Sequence, residues 1–339
     1  MADYDLVVIG SGPAGEKGAV QAASSGKKVA VVEKAPVLGG AAANTGTLPS
    51  KTLRETALYL SGFRNRGLYG VDFALKERVS LDELLYRERK VKEGERARVA
   101  WNLERHGVRL LQGTATLPDP HTVEVLKPDG AIERLSTGVI LLATGSSPHR
   151  PAIYPFEDNR IHDSDELLEM PEVPASLAVI GAGVIGSEYA CMFAALGIPV
   201  TLVEQKEQLL PFLDAELSSA LVEHMRALGI DLAMPDSVKA VDASGHLIKL
   251  ELESGRRLEV RAVLVAAGRT GNTRGLNLEA HGIALDNRGR VVVNERYQTA
   301  VPHIYAAGDV IGFPALASTS MEQARIAVGH AFDLEYKKT

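Results

Sequence analysis

The feature that most constrains this chain is that it repeats itself. Residues 5–10 read Asp-Leu-Val-Val-Ile-Gly and run on through Gly10-Ser-Gly-Pro-Ala-Gly15. Residues 177–186 read Leu-Ala-Val-Ile-Gly-Ala-Gly-Val-Ile-Gly, with the same glycine spacing. In each copy a short apolar run meets Gly-x-Gly-x-x-Gly, then a segment of small residues that ends near Gly26 or Gly197. A second apolar run, Val29–Val32 or Val200–Val203, closes on an acid, Glu33 or Glu204. First glycines and acids are both offset by 171 residues, 10 to 181 and 33 to 204. Continuous apolar runs of this length suit strands buried on both faces of a parallel sheet, and the small-residue segment suits a crossover helix. The expected fold class is α/β, with two Rossmann-like dinucleotide-binding domains.

The copies stay parallel further on. A turn at Pro128-Asp129-Gly130 leads into Val139 through Ala143-Thr144-Gly145, and one at Ser254-Gly255 leads into Val263 through Gly268. The closing glycines are offset by 123 residues, 145 to 268, so the first copy carries 48 extra residues between about Gly39 and Gly107. That stretch holds Thr47-Leu-Pro-Ser-Lys51 and a charged amphipathic helix expected from Leu81 to Arg105. Residues 290–311 add an expected strand at Arg290–Val293 and the segment Thr299–Asp309, with no counterpart in the second copy. The economical division places one domain at 1–149 and 276–339, with the other, 150–275, inserted in it.

The composition agrees with two or three globular domains: 339 residues, 45% hydrophobic and 24% charged. Lys plus Arg number 37 against 43 Asp plus Glu, a net charge of −6, so nothing favours nucleic acid or an anionic membrane as partner. A single cysteine, Cys191, excludes an intrachain disulfide and a cysteine-rich metal site, and the nine histidines lack metal-ligand spacing. The start has no basic leader, and no apolar run approaches the ~18 residues of a membrane span, so a soluble, cytoplasmic protein is expected.

The glycines carry a specific chemistry. In such a fingerprint the first permits a tight turn, the second lets the backbone approach a pyrophosphate, and the third lets helix and strand pack closely. The anion rests on the helix N-terminal amides, and the acid accepts hydrogen bonds from ribose hydroxyls. Two fingerprints imply two dinucleotides. Glu204 favours NAD over NADP, because a carboxylate repels a 2′-phosphate; Lys206 close by can soften that preference.

With these residues in hand, the chain resembles the flavoprotein pyridine nucleotide-disulfide oxidoreductases, the family of dihydrolipoamide dehydrogenase and glutathione reductase. The matches are Gly10 through Gly15 with Glu33, Gly39-Gly40, Gly46-Thr-Leu-Pro-Ser-Lys51, Ala143-Thr-Gly145, Gly181–Gly186, and Thr299 with Ile304 through Asp309. Within the family it is most similar to the soluble transhydrogenase branch, which has Gly-Thr rather than Gly-Cys before Pro-Ser-Lys, as Gly46-Thr47 does here. The stretches Gly268 to Thr273 and Asp309 to Ser318 read like the same branch.

The resemblance implies FAD in the first domain and NAD(H) or NADP(H), as substrate, in the second. For FAD it implies contacts from Gly10, Gly12, Pro13, Ala14, Gly15, Glu33, Lys34, Gly40, Ala41, Gly46 and Thr47. Thr114 and Ala115 would lie along its adenine half. Ala143, Thr144, Gly145, Gly308, Asp309, Leu316 and Ala317 complete that site, with Asp309 on the ribityl chain. For the nicotinamide dinucleotide it implies Gly181, Gly183, Val184, Ile185, Gly186, Glu204 and Gly268. Lys51 and Glu188 would pair beside the flavin N5 as the catalytic residues.

Two departures bear on mechanism. The positions of the family's redox cysteines hold Ala42 and Thr47, and Ala cannot form a thiolate, so dithiol chemistry by that route is excluded. Cys191 sits among Ala190, Met192 and Phe193, where core packing is the expectation. The chain also ends at Thr339, short of the family's dimerisation domain, which leads to the expectation of a monomer or weak oligomer. The function expected is hydride transfer from NAD(P)H to flavin and on to a second acceptor. The alternatives are a truncated or engineered FAD/NAD-binding core without productive catalysis, and an NADH diaphorase or oxidase.

Overall fold

The computed structural model describes residues 2–64 and 80–334. The chain forms two compact units, Met1–Thr47 with Lys92–Ser147 and Arg269–Thr339, and Leu48–Val91 with Pro148–Gly268. In the first, β1 (Tyr4–Ile9) leads into α1 (Pro13–Ser24) and β2 (Val29–Glu33), followed by the short α2 (Gly40–Asn44). The chain then enters α3 (Thr47–Arg64), which lies in the second unit from Leu48 onward. Next come α4 (Leu81–Leu84) and α5 (Tyr86–Arg105), the latter returning to the first unit at Lys92.

Strands β3 (Arg109–Gln112), β4 (Thr114–Asp119), β5 (Thr122–Leu126) and β6 (Ile132–Leu142) follow in the first unit. β1 pairs in parallel with β2 and β6, and β2 with β3, while β4–β5–β6 is antiparallel. Both faces of β1 are buried, as the unbroken apolar run requires. Leu6 and Val8 pack with Ala19, Ala22 and Val328, whereas Val7 and Ile9 pack with Val123, Val125 and Leu135. Burying each such side chain contributes about 1.5–3 kcal/mol.

After the short β7 (Ser146–Pro148), the second unit runs β8 (Ile161–Asp163), β9 (Leu177–Ile180), α6 (Val184–Ala195), β10 (Val200–Val203), α7 (Ala215–Ala227) and β11 (Asp231–Ala233). A separate antiparallel sheet, β12 (Val238–Asp242), β13 (Ile248–Leu252) and β14 (Arg257–Val260), precedes β15 (Ala262–Val265). The parallel order is β11-β10-β9-β15-β8. The chain returns through β16 (Arg269–Gly271) to β17 (Ile304–Ala306) and α8 (Ala317–Ala331) in the first unit.

Four expectations are corrected. The segment Thr299–Asp309 does have a spatial counterpart: β17 pairs with β6 through Ile304↔Ile140, and β8 pairs with β15 through Ile161↔Val263. The fifth parallel strand is supplied late in the first unit and early in the second, so comparison in chain order misses it. Arg290–Val293 is not a strand but a single bridge, Leu285↔Val291. Residues 81–105 form two helices, because the helix is interrupted at Leu85. Finally, residues 48–91 group with the second unit, unlike the division at 149/150 and 275/276. The reason is burial: Leu53, Leu84 and Leu85 share a core with Leu177, Val179, Tyr189 and Phe193.

Candidate functional site: two nucleotide cradles and a lysine–glutamate pair

The two fingerprints fold alike. Gly10 adopts φ +104°, and a Cβ there would stand 2.3 Å from Ala143 O; at Gly181, with φ +96°, it would stand 2.5 Å from Ala266 O. A Cβ on Gly15 would lie 1.9 Å from Gly10 O, and one on Gly186 1.9 Å from Gly181 O. Strand and helix are therefore in contact at positions where only glycine fits.

The middle glycines differ. Gly12 (φ −65°, ψ −176°) and Gly183 (φ −68°, ψ −178°) are extended, a conformation open to any residue. A Cβ at Gly183 would meet nothing within 4 Å, and one at Gly12 only Gly40 Cα at 3.8 Å. Neither glycine is demanded by the protein's own packing. Both precede helices that receive no side-chain cap, so first-turn amides of α1 and α6 are left to another acceptor. That is the space and the donor set a pyrophosphate needs. Pro13 and Ala14 open α1, proline costing no hydrogen bond at N1; Val184 and Ile185 open α6, with Val184 exposed.

The acids are held the same way in both copies. Glu33 Oε2 accepts from Ser11 N at 2.8 Å, and its Oε1 from Ala35 N at 2.8 Å. Glu204 Oε2 accepts from Ala182 N at 2.7 Å, and its Oε1 from Lys206 N at 3.0 Å. These bonds fix each carboxylate at the end of its strand while lone pairs remain for ribose hydroxyls. The first copy adds Ser11 Oγ, which donates to Glu33 Oε2 at 2.6 Å and accepts from Gly39 N at 3.1 Å.

Around the first cradle the structure gathers the other expected residues. Gly113 N donates to Glu33 O at 2.9 Å, which sets Thr114 and buried Ala115 beside the acid; Lys34 next to it is exposed. Gly40 opens α2 with Ala41 behind it, and Gly46 N donates to Ala41 O at 2.7 Å. Gly308 lies against Ala14, where a Cβ would approach to 3.2 Å, and its N donates to Gln323 Oε1 at 2.8 Å. Asp309 Oδ2 accepts from Ser146 Oγ at 3.1 Å. Leu316 is the exposed N-cap of α8, with Ala317 the first helical residue. The buried hydroxyls of Thr45 and Thr144 have no hydrogen-bond partner among the described residues, a cost of about 1–3 kcal/mol each unless a ligand or water meets them. These residues fit a flavin dinucleotide.

In the second unit, Lys51 on α3 and Glu188 on α6 form an ion pair, Nζ to Oε1 2.6 Å. Their side chains are 53% and 39% exposed, so both ends remain accessible to a ligand. Gly268, at φ +98°, follows β15, and its carbonyl accepts from His149 N at 2.8 Å. Thr47 is the last residue of the first segment of the first unit. Cys191 packs on the core of the second unit, and burial, followed by the charge of Glu188, pushes its thiol up. Among the described residues, no helix is long and apolar enough to cross a membrane.

The sequence reading missed the supporting groups. Ser11 lay in view between two glycines. Ser146 and Asn272 join sequence-distant segments: Asn272 N donates to Gly145 O at 3.0 Å and its Nδ2 to Thr144 O at 3.0 Å. No local pattern marks such partners.

The profile of the pyridine nucleotide-disulphide oxidoreductases matches residues 4–331. A soluble pyridine nucleotide transhydrogenase of Mycobacterium bovis is 46% identical over 333 residues, 98% of this chain and 71% of that protein. One from Colwellia psychrerythraea is 38% identical over 99% of this chain and 72% of that one. Among solved structures, LpdA of Mycobacterium tuberculosis superposes with a TM-score of 0.90 at 30% identity, covering 98% of this chain and 74% of that one. The HOCl-induced flavoprotein disulfide reductase RclA of Escherichia coli gives 0.86 at 28%, covering 99% and 72%. Twin glycine cradles, twin acids and a match along nearly the whole length lead to one conclusion: the chain belongs to the pyridine nucleotide-disulphide oxidoreductase family, as an FAD-dependent oxidoreductase of NAD(P)H.

Proposed function

We propose that the first unit holds FAD, that the second takes up NADH, and that the electrons leave to a second nicotinamide dinucleotide, as in a soluble transhydrogenase. The observation that carries this reading is the Lys51–Glu188 ion pair, in a chain whose dithiol positions hold Ala42 and Thr47. Bound flavin supplies the chemistry of accepting a hydride from one nicotinamide and yielding it to another, which requires no cysteine. The chain's part is orientation and charge. Glu33 and Glu204 accept ribose hydroxyls, and the α1 and α6 amides neutralise the pyrophosphates. Asp309, steadied by Ser146, accepts from the ribityl chain. The Lys51 ammonium stabilises negative charge as it develops nearby, and Glu188 keeps that ammonium in one place. Glu204 makes NADH the preferred donor, and the protein works in the cytoplasm.

The test is anaerobic. The FAD-loaded protein is mixed with NADH and its flavin absorbance followed, then NADP+ or a thio-nicotinamide analogue is added. Bleaching followed by recovery with the second nucleotide is expected, and Lys51→Met should slow the bleaching by at least about tenfold. A flavin that bleaches but recovers only with oxygen or a dye would replace this reading by an NADH oxidase or diaphorase. A flavin that binds yet never bleaches would remove the hydride route altogether.

A further inference from the structure

The two cradles share one backbone design, yet a flavin must stay while a nicotinamide dinucleotide must come and go. The second cradle is open beside Gly183, where a Cβ would meet nothing within 4 Å. The first is covered. Gly39 and Gly40 adopt φ +96° and +56°, and a Cβ on Gly40 would stand 2.9 Å from Gly12 Cα, so this turn closes directly over the middle glycine.

A single asparagine governs the turn. Asn44 Nδ2 donates to Leu38 O at 2.9 Å and to Gly40 O at 2.8 Å, bracketing Gly39 and Gly40. Its Oδ1 accepts from Arg96 Nε on α5 at 2.7 Å. This bond assigns the amide's orientation: with an arginine as neighbour, the oxygen must face α5 and the nitrogen must face the turn. Arg98, two residues on, pairs with Glu16 and Glu95. Among the described residues the half-buried Arg96 guanidinium pairs with no carboxylate and is given to the asparagine. In the second unit α7 leads from β10 into β11 as α5 leads into β3, but among the described residues no turn stands within 4 Å of a Cβ on Gly183.

We propose that Arg96 and Asn44 form a latch that holds the Gly39–Gly40 turn over Gly12 and thereby makes the first cradle a retaining site. Both are positioning residues, Arg96 acting through Asn44 and Asn44 through the turn. The latch works on dissociation. A dinucleotide on the α1 amides leaves only when the turn lifts from Gly12, and lifting it breaks the Asn44 bonds. This inference rests on the assignment of FAD to the first unit.

The experiment follows release of FAD from the loaded protein on dilution, by the rise of free-flavin fluorescence. The Arg96→Ala and Asn44→Ala variants should release FAD at least tenfold faster than the parent. Their double variant should release it no faster than the quicker single, because both act on one latch. Arg96→Lys, whose ammonium can still donate to Asn44 Oδ1, should remain within about threefold of the parent. NADH affinity of the loaded protein and the thermal midpoint of the apoprotein should stay near parental values. Unchanged release in both single variants, additive effects in the double, or a parallel loss of NADH affinity would overturn the latch. A parent that takes up no FAD would overturn the cofactor assignment and the latch with it, whereas normal uptake with unchanged release removes the latch alone.

Discussion

Replacing Arg98 by alanine tests how helix α5 is fastened to the first cradle. Glu16 lies in the first turn of α1 with its carboxylate side chain 2% exposed. Arg98 meets it with two parallel bonds, Nη1 to Oε1 and Nη2 to Oε2, both 3.0 Å. Stripping a partner from a fully buried pair costs about 3–5 kcal/mol, whereas an exposed pair contributes about 0–1 kcal/mol. Arg98 is 41% exposed, and Lys17 and Asn102 stay on the carboxylate after its loss. The expected cost near pH 7 is therefore about 2 kcal/mol, or roughly 4–8 °C in midpoint.

The pH dependence carries the sharper test. Burial alone pushes Glu16 up, but the bonds from Arg98, Lys17 and Asn102 outweigh it and hold the carboxyl below its ordinary value of 4.5. A depressed carboxyl stabilises the fold above its unfolded value, and that contribution is lost as pH falls through the folded one. Without Arg98 burial weighs more, the carboxyl moves up, and the variant takes a proton sooner. Its deficit against the parent should be full near pH 7 and shrink toward pH 4. Urea unfolding of both proteins at the two pH values reads this directly. A deficit equal at both, or none at pH 7, would refute the account; Glu16→Gln added to Arg98→Ala should recover part of the loss.

Other outcomes follow from the same geometry. Gly186→Ala places a Cβ 1.9 Å from Gly181 O, so at least about 3 kcal/mol of stability and most NADH affinity should be lost, read by unfolding and nucleotide titration. Glu204→Ser removes the carboxylate while keeping a short acceptor for the Ala182 amide; the NADH-to-NADPH ratio of flavin reduction rates should fall at least about tenfold. Alkylating Cys191 should be slow, since burial raises its thiol, and Cys191→Ala should leave flavin reduction by NADH unchanged, as stopped-flow absorbance can check.

What the sequence made legible was what is local. Two apolar runs, three glycines and an acid lie within about thirty residues, so their spacing alone implies strand, turn, helix and ribose acceptor. Lys51 and Glu188 stand 137 positions apart and could be joined only through the family resemblance, yet they meet at 2.6 Å. The 48 extra residues were visible as a count, but not their allegiance. Leu53, Leu84 and Leu85 bury in the second unit because its α6 face offers apolar partners, a fact of packing with no signature in the first copy. Arg96 and Asn44, 52 positions apart, were equally silent, since neither belongs to a periodic pattern.

The displaced fifth strand has a consequence for synthesis. Emerging from the ribosome, the chain completes the five-stranded parallel sheet of the inserted unit at Val265, but the sheet begun first waits for β17 at Ile304–Ala306. At about 5–20 residues per second that is a delay of roughly 2–8 s. During it the edge of β6 that β17 will cover is still unpaired, and Asp309 has not yet been made. The unit that starts first finishes last, so a flavin arriving early finds the glycine turn and Glu33 but no partner for its ribityl chain.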